Sequence, residues 1–158
     1  MDISSQVPNP ASSALVGGAE ASLGAAAESQ EKWNKEVYEK ACKGNGKGVS
    51  DALAKGGKPN GFKSGGLGMY PLHEASVEGH LSTVIVLLQA GATVDAVENG
   101  KRTALHCAAI YGKIQVVEEL LNAGADKALK DNSGKTALDY AQTKGHPAIV
   151  KLLRDWPH

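Results

Sequence analysis

The chain has 158 residues, enough for one domain with a core of ordinary size. Its 17 Lys and Arg equal its 17 Asp and Glu, which argues against a nucleic-acid binder, a class that usually carries a strong basic balance. The most apolar run, Val84 to Leu88, is far too short to span a bilayer, and MDISSQVPNPASSALVGG has neither a basic n-region nor a sustained apolar stretch, so no membrane span and no secretory signal are expected.

The charge is uneven: residues 1–36 carry a net −3 and the remainder +3. Residues 1–28 are rich in Ser, Ala and Gly, with Pro8 and Pro10. Little there can form a core, so a disordered tail is expected, with at most transient helix over Ala19 to Ala27. It serves either as a recognition tail or as a solvated extension.

From Ser29, a candidate N-cap, the pattern changes. Trp33, Val37, Tyr38 and Ala41 recur at helical spacing to about Cys42, and Gly44 ends the helix. A weaker helix carries Val49, Ala52 and Leu53 and ends near Gly56. Trp33 is expected to close the end of the core. The connection GFKSGGLGM follows, made flexible by its glycines. No strand precedes it, so it does not read as a phosphate cradle.

A phrase is then written three times. YPLHEA begins at Tyr70, TALHCA at Thr103 and TALDYA at Thr136, each 33 residues after the last. Gly79, Gly112 and Gly145 keep the same step, as do Leu87, Leu120 and Leu153. Each phrase starts a short helix, capped by Thr103 or Thr136, or opened by Pro71. Leu72, Leu105 and Leu138 are expected in the core. Second helices carry the stripes Leu81, Val84, Leu87, Leu88 and Ile114, Val117, Leu120, Leu121. Asn99-Gly100 and Ser133-Gly134 mark tight turns between repeats. The last copy lacks a further hairpin, and Trp156 is expected to cover the end of the core. Sliding the first helix pair by 35 sets Gly44 on Gly79 and Val49 on Val84, so that pair reads as a degenerate first copy.

With this period and phrase, the chain resembles the ankyrin-repeat family from about Gln30 to His158. The implied fold is an all-α solenoid of about four stacked helix-turn-helix repeats with hairpin loops, over residues 29–66, 67–99, 100–132 and 133–158. The resemblance implies that His73 and His106 hydrogen-bond between neighbouring loops, rather than serving catalysis or metal; Asp139 stands in the third copy. It also implies protein–protein binding through a concave face and the hairpin tips. The face positions are Val77, Glu78, Ile110, Tyr111, Thr143 and Lys144. The tips carry Glu98, Asn99, Lys101, Arg102, Lys130, Asp131, Asn132 and Lys135. Their charge leans positive, which suits an acidic segment on a partner. Ile110 either contributes to the face with Tyr111 or packs inward and leaves Tyr111 exposed. Ile85 stands where the next copy has Glu118, an outer apolar spot.

No catalytic site is found: there is no nucleophile with its His and acid partners, no CxxC, no HExxH and no P-loop. No metal or cofactor is expected. Glu118 and Glu119 point apart and read as a solvated face. Cys42 and Cys107 lie two repeats apart, too far for a bridge within one chain, and free thiols fit a reducing compartment. The expected protein is a soluble intracellular monomer, cytoplasmic with the nucleus as a second compartment, that binds another protein. The alternatives are a regulatory subunit that blocks an enzyme or transcription factor, an enzyme of unrecognised site, and a structural spacer.

Overall fold

The computed structural model describes residues 10–157, with side chains from residue 24 onward. These residues form eight α-helices and no strand: α1 (Pro10–Cys42), α2 (Gly46–Ala54), α3 (Pro71–Glu78), α4 (Leu81–Gln89), α5 (Ala104–Ile110), α6 (Ile114–Asn122), α7 (Ala137–Lys144) and α8 (Pro147–Asp155). They pack as four consecutive pairs. The first helices α1, α3, α5 and α7 make one row, and the second helices α2, α4, α6 and α8 make the other. The first row buries Ala75, Ala108, Ala109 and Ala141, whereas the second buries Val84, Leu87, Val117, Leu120 and Leu153. Small alanines thus line the contacts between neighbouring first helices, the row that forms the inner side of a stack of this kind, whereas larger aliphatics line those between second helices.

The repeated phrase explains the helix starts. The Thr103 hydroxyl accepts from the His106 N–H at 3.4 Å, and the Thr103 N–H donates to His106 Nδ1 at 3.1 Å. Thr136 and Asp139 do the same at 3.3 and 2.9 Å. Tyr70 has no hydroxyl in reach, but its N–H donates to His73 Nδ1 at 3.1 Å and Pro71 takes the first turn. Asn45 caps α2 through the Gly48 N–H at 2.8 Å. Two of the glycines that close first helices have two reasons to be glycine. Gly79 and Gly112 have φ of 75° and 71°. A Cβ on Gly79 would lie 2.7 Å from the Lys113 side chain, and one on Gly112 would lie 2.7 Å from the His146 ring. The next repeat thus rests a side chain on the bare backbone.

Several expectations are corrected. Ser29 lies inside α1 and caps nothing, because the helix reaches back to Pro10. The tail expected over residues 1–28 is therefore helical from Pro10; residues 1–9 lie outside the described residues. Alanine-rich sequence builds no core but has the highest helix propensity, and proline is tolerated at a helix start. Ile114 is 40% exposed, and Val116 takes its place inside. Ile114 opens α6, where the stripe has not yet turned inward. Trp33 is partly buried but lies outside the core cluster, between the ammonium groups of Lys32 and Lys55 at 4.9 and 4.6 Å from its ring. Trp156 does pack on the core, and Lys127 Nζ donates to the carbonyls of Leu153 and Trp156 at 2.9 and 3.1 Å. Leu138 is only partly buried.

GFKSGGLGM is an ordered hairpin rather than a loose connection. Ser64 and Met69 exchange two hydrogen bonds of 2.9 Å, and the rings of Phe62 and Tyr38 lie 5.0 Å apart. Residues 65–68 stand in register with 98–101 and 131–134, so the stack has three hairpins. They are tied in series. The Asn99 N–H donates to the Leu67 carbonyl and the Asn132 N–H to the Gly100 carbonyl, both at 2.9 Å. Lys101 adopts φ 60° where its counterparts Gly68 and Gly134 adopt 69° and 74°, a conformation that costs a non-glycine residue roughly 1–2 kcal/mol.

One buried group breaks the pattern. Thr83 is 0% exposed in α4, in register with buried Val116 and Ile149, and its hydroxyl has no hydrogen-bond partner among the described residues. An unsatisfied buried hydroxyl destabilises, so Thr83→Val is expected to raise the unfolding free energy by about 1 kcal/mol. A urea midpoint that stays put or falls would show that the hydroxyl is satisfied.

Candidate protein-binding surface

The face positions lie at the C-terminal ends of α3, α5 and α7, whose N-terminal ends follow the hairpins. Val77 and Ile110 are half-buried, whereas Glu78, Thr143 and Lys144 are exposed. Tyr111 is 56% exposed, and Leu67 of the first hairpin is 54% exposed. Leu67, Val77, Ile110 and Tyr111 line one cleft of about 100 Å³, bordered by Glu98 and Arg102. That volume falls well below a small-molecule site of roughly 300–1,000 Å³ and suits one side chain. Cys107 closes the floor of the cleft. Burial pushes its thiol up to about 12, so it stays protonated and unreactive. Glu78, Asn99, Lys101, Thr143, Lys144, Lys130, Asn132 and Lys135 lie outside this cleft.

Leu67 escapes the sequence reading because it sits in a segment taken as flexible. The available signal is register: it aligns with Gly100 and Ser133, so it is a bulky apolar residue on a tip where the other hairpins carry small ones.

The tips divide into fastened and free residues. Glu98, expected at the surface, is only 4% exposed. Its carboxylate accepts from the Gly100 N–H at 2.6 Å, the Arg102 N–H at 3.0 Å and Arg102 Nη2 at 3.4 Å. Burial opposes the charge, but these donors outweigh it and hold the carboxyl below the usual range. Asp131 repeats the arrangement one copy on. It accepts from the N–H groups of Ser133 and Lys135 at 2.9 and 3.0 Å and from the Tyr140 hydroxyl. Burial again opposes its charge, and those donors again hold its carboxyl low. Asn99 and Asn132 are exposed, yet their side-chain amides donate to the carbonyls of Gly66 and Asn99, at 2.7 and 3.3 Å. Arg102 is partly exposed, with its charge shared with Glu98. Lys101, Lys130 and Lys135 are exposed, and Lys135 Nζ lies 5.5 Å from the centre of the Tyr140 ring.

The histidines of the phrase carry bonds across the stack. His73 Nε2 lies 3.1 Å from the Arg102 carbonyl, and His106 Nε2 lies 3.0 Å from the Lys135 carbonyl. Each Nδ1 accepts a backbone N–H, so each Nε2–H is the donor. Burial keeps the His73 imidazole below its ordinary value. Asp139 makes the cap bond through a carboxylate oxygen but has no N–H with which to bridge onward. Among the described residues no group of three or more His, Cys, Asp or Glu is placed to hold a metal ion.

A family model described as ankyrin repeats in three copies matches residues 38–131 and again 72–156, together most of the chain. The chain belongs to the ankyrin-repeat family. The all-α ankyrin solenoid expected from the phrase is the observed fold, and ankyrin repeats are in general modules of protein–protein interaction. A search of curated proteins returned no match. Among the described residues, no helix of this ankyrin stack is long and apolar enough to cross a membrane.

Proposed function

We propose that this ankyrin stack binds another protein, without catalysis of its own, through the cleft on its inner row and the hairpin tips beside it. The observation that carries this reading is the exposed pair Leu67 and Tyr111. Together with Val77 and Ile110 they make an apolar, side-chain-sized recess in a charged surface. Aromatic anchors beside such recesses dominate binding energy. The tips favour an acidic segment on the partner. Glu98 and Asp131 are buried within their own turns, so Lys101, Lys130 and Lys135 set the sign of the exposed fringe. The stack is a monomer by this reading. Its free thiols, Cys42 and Cys107, fit a reducing interior such as cytoplasm or nucleus.

Affinity capture compares the wild type with a Leu67→Ala/Tyr111→Ala double variant, after circular dichroism has shown equal helicity. The expected result is a partner held by the wild type and weakened by roughly 30-fold or more in the variant, the scale of a lost hot spot of about 2 kcal/mol. A partner held equally by both moves the site away from the cleft.

A further inference from the structure

The inner-face row carries its charge in order. Glu78, Tyr111 and Lys144 stand one repeat apart in register, at the ends of α3, α5 and α7, and all three are exposed. Neither Glu78 nor Lys144 forms an ion pair among the described residues. The order extends beyond these three side chains. No Lys or Arg occurs between Lys63 and Lys101, and Glu98 is paired with Arg102 inside its turn, so the charged side chains that the repeat over residues 67–99 leaves outside an ion pair among the described residues are Glu74, Glu78 and Asp95. The stretch from residue 133 holds Lys135, Lys144, Lys151 and Arg154 against Asp139 and Asp155. The apolar cleft sits at the junction, with Val77 on one side and Tyr111 on the other.

We infer that the occupant of the cleft is an extended peptide segment whose side chains run in the order basic, apolar, acidic along the stack. This rests on the reading of the cleft as the binding site and adds the polarity of its ligand. Adjacent packed helices lie about 8–10 Å apart, and an extended chain advances about 3.3 Å per residue. One repeat therefore matches about three residues. A bulky apolar side chain enters beside Leu67 and Tyr111. A basic residue about three positions to one side reaches Glu78, and an acidic residue about three positions to the other reaches Lys144. The opposite order would set like charges against both ends of the row, which orients the segment as well as selecting it. The excess of Lys around the last tip, Lys130 and Lys135, lies on the acidic side of this order.

The test selects binders from a displayed library of random 12-residue segments and measures them by fluorescence anisotropy. The expected winners carry one bulky apolar residue flanked by a basic and an acidic residue, and Tyr111→Ala weakens them by tenfold or more. Reversing the winner's basic residue to Glu is expected to lose about tenfold, and Glu78→Lys but not Lys144→Glu restores it. Reversing its acidic residue to Lys is restored by Lys144→Glu alone. Winners that depend on Tyr111 but show no charge preference, or whose rescues are crossed, overturn the polarity and leave the cleft standing. A selection that yields no Tyr111-dependent binder overturns the cleft and the polarity with it.

Discussion

Leu120→Ala is expected to lower the unfolding free energy by about 2–5 kcal/mol, the range for a large aliphatic side chain removed from a packed core. Leu120 is 0% exposed and sits in α6, with helix pairs stacked on both sides of its own. In a stack each pair is stabilised by its neighbours, so a cavity here weakens two interfaces at once. The backbone around it is held by the Ala123 N–H to Glu119 carbonyl and Ala125 N–H to Leu120 carbonyl bonds, both 3.0 Å, which limits how far the site can collapse. Ile114→Ala in the same helix is the control. Its side chain is 40% exposed, and a surface truncation away from any special feature falls within about 0.5 kcal/mol. Urea denaturation of both variants separates the two sites, and similar losses would mean that the core of α6 faces the other way.

The stack was legible in the sequence because one interface is built repeatedly. A residue that meets its own counterpart in the next pair is chosen again 33 positions later, and Leu87, Leu120 and Leu153 keep that step. The bridging histidines were legible only through the family resemblance; spacing alone does not say what a buried imidazole touches. The length of α1 was hidden for a different reason. Absence of apolar residues argues against a core, not against a helix, and a run of alanines satisfies the second without the first.

The site was half legible. The helix-end positions follow from the repeat, and Tyr111 stands out there as a large side chain with no core to enter. Leu67 does not, because its hairpin lacks the repeated phrase and its four glycines mimic a linker. Glu98 was misplaced because a charged residue on a turn reads as exposed. Whether a turn closes over its own carboxylate depends on where the N–H groups two and four residues later point. The one trace in the sequence is that Glu98 and Asp131, both acids, keep the 33-residue step. Burying both changes the surface: acids that appear to offset the tip lysines are turned inward and hydrogen-bonded within their own turns.

Glu98→Ala is expected to cost about 2–3 kcal/mol, below the 3–5 kcal/mol typical of breaking a fully buried ion pair because Arg102 keeps part of its side chain in water. The loss comes from the turn, not from the ion pair alone. The Gly100 and Arg102 N–H groups lose their acceptor, and the Arg102 carbonyl, which receives the His73 bridge, loses its fixed position. The link between the second and third repeats and the wall of the cleft therefore loosen together. Acid supplies an independent check. The folded carboxyl is held below its usual range, so its contribution is complete above that range and disappears as pH falls through the folded value. The difference in stability between wild type and Glu98→Ala should then be widest near neutral pH and should shrink as pH falls below the usual carboxylate range. Glu98→Gln, which keeps an acceptor oxygen without the charge, should fall between the two. A difference that stays constant across this range would assign the loss to packing, and the carboxylate would no longer be the group that closes the turn.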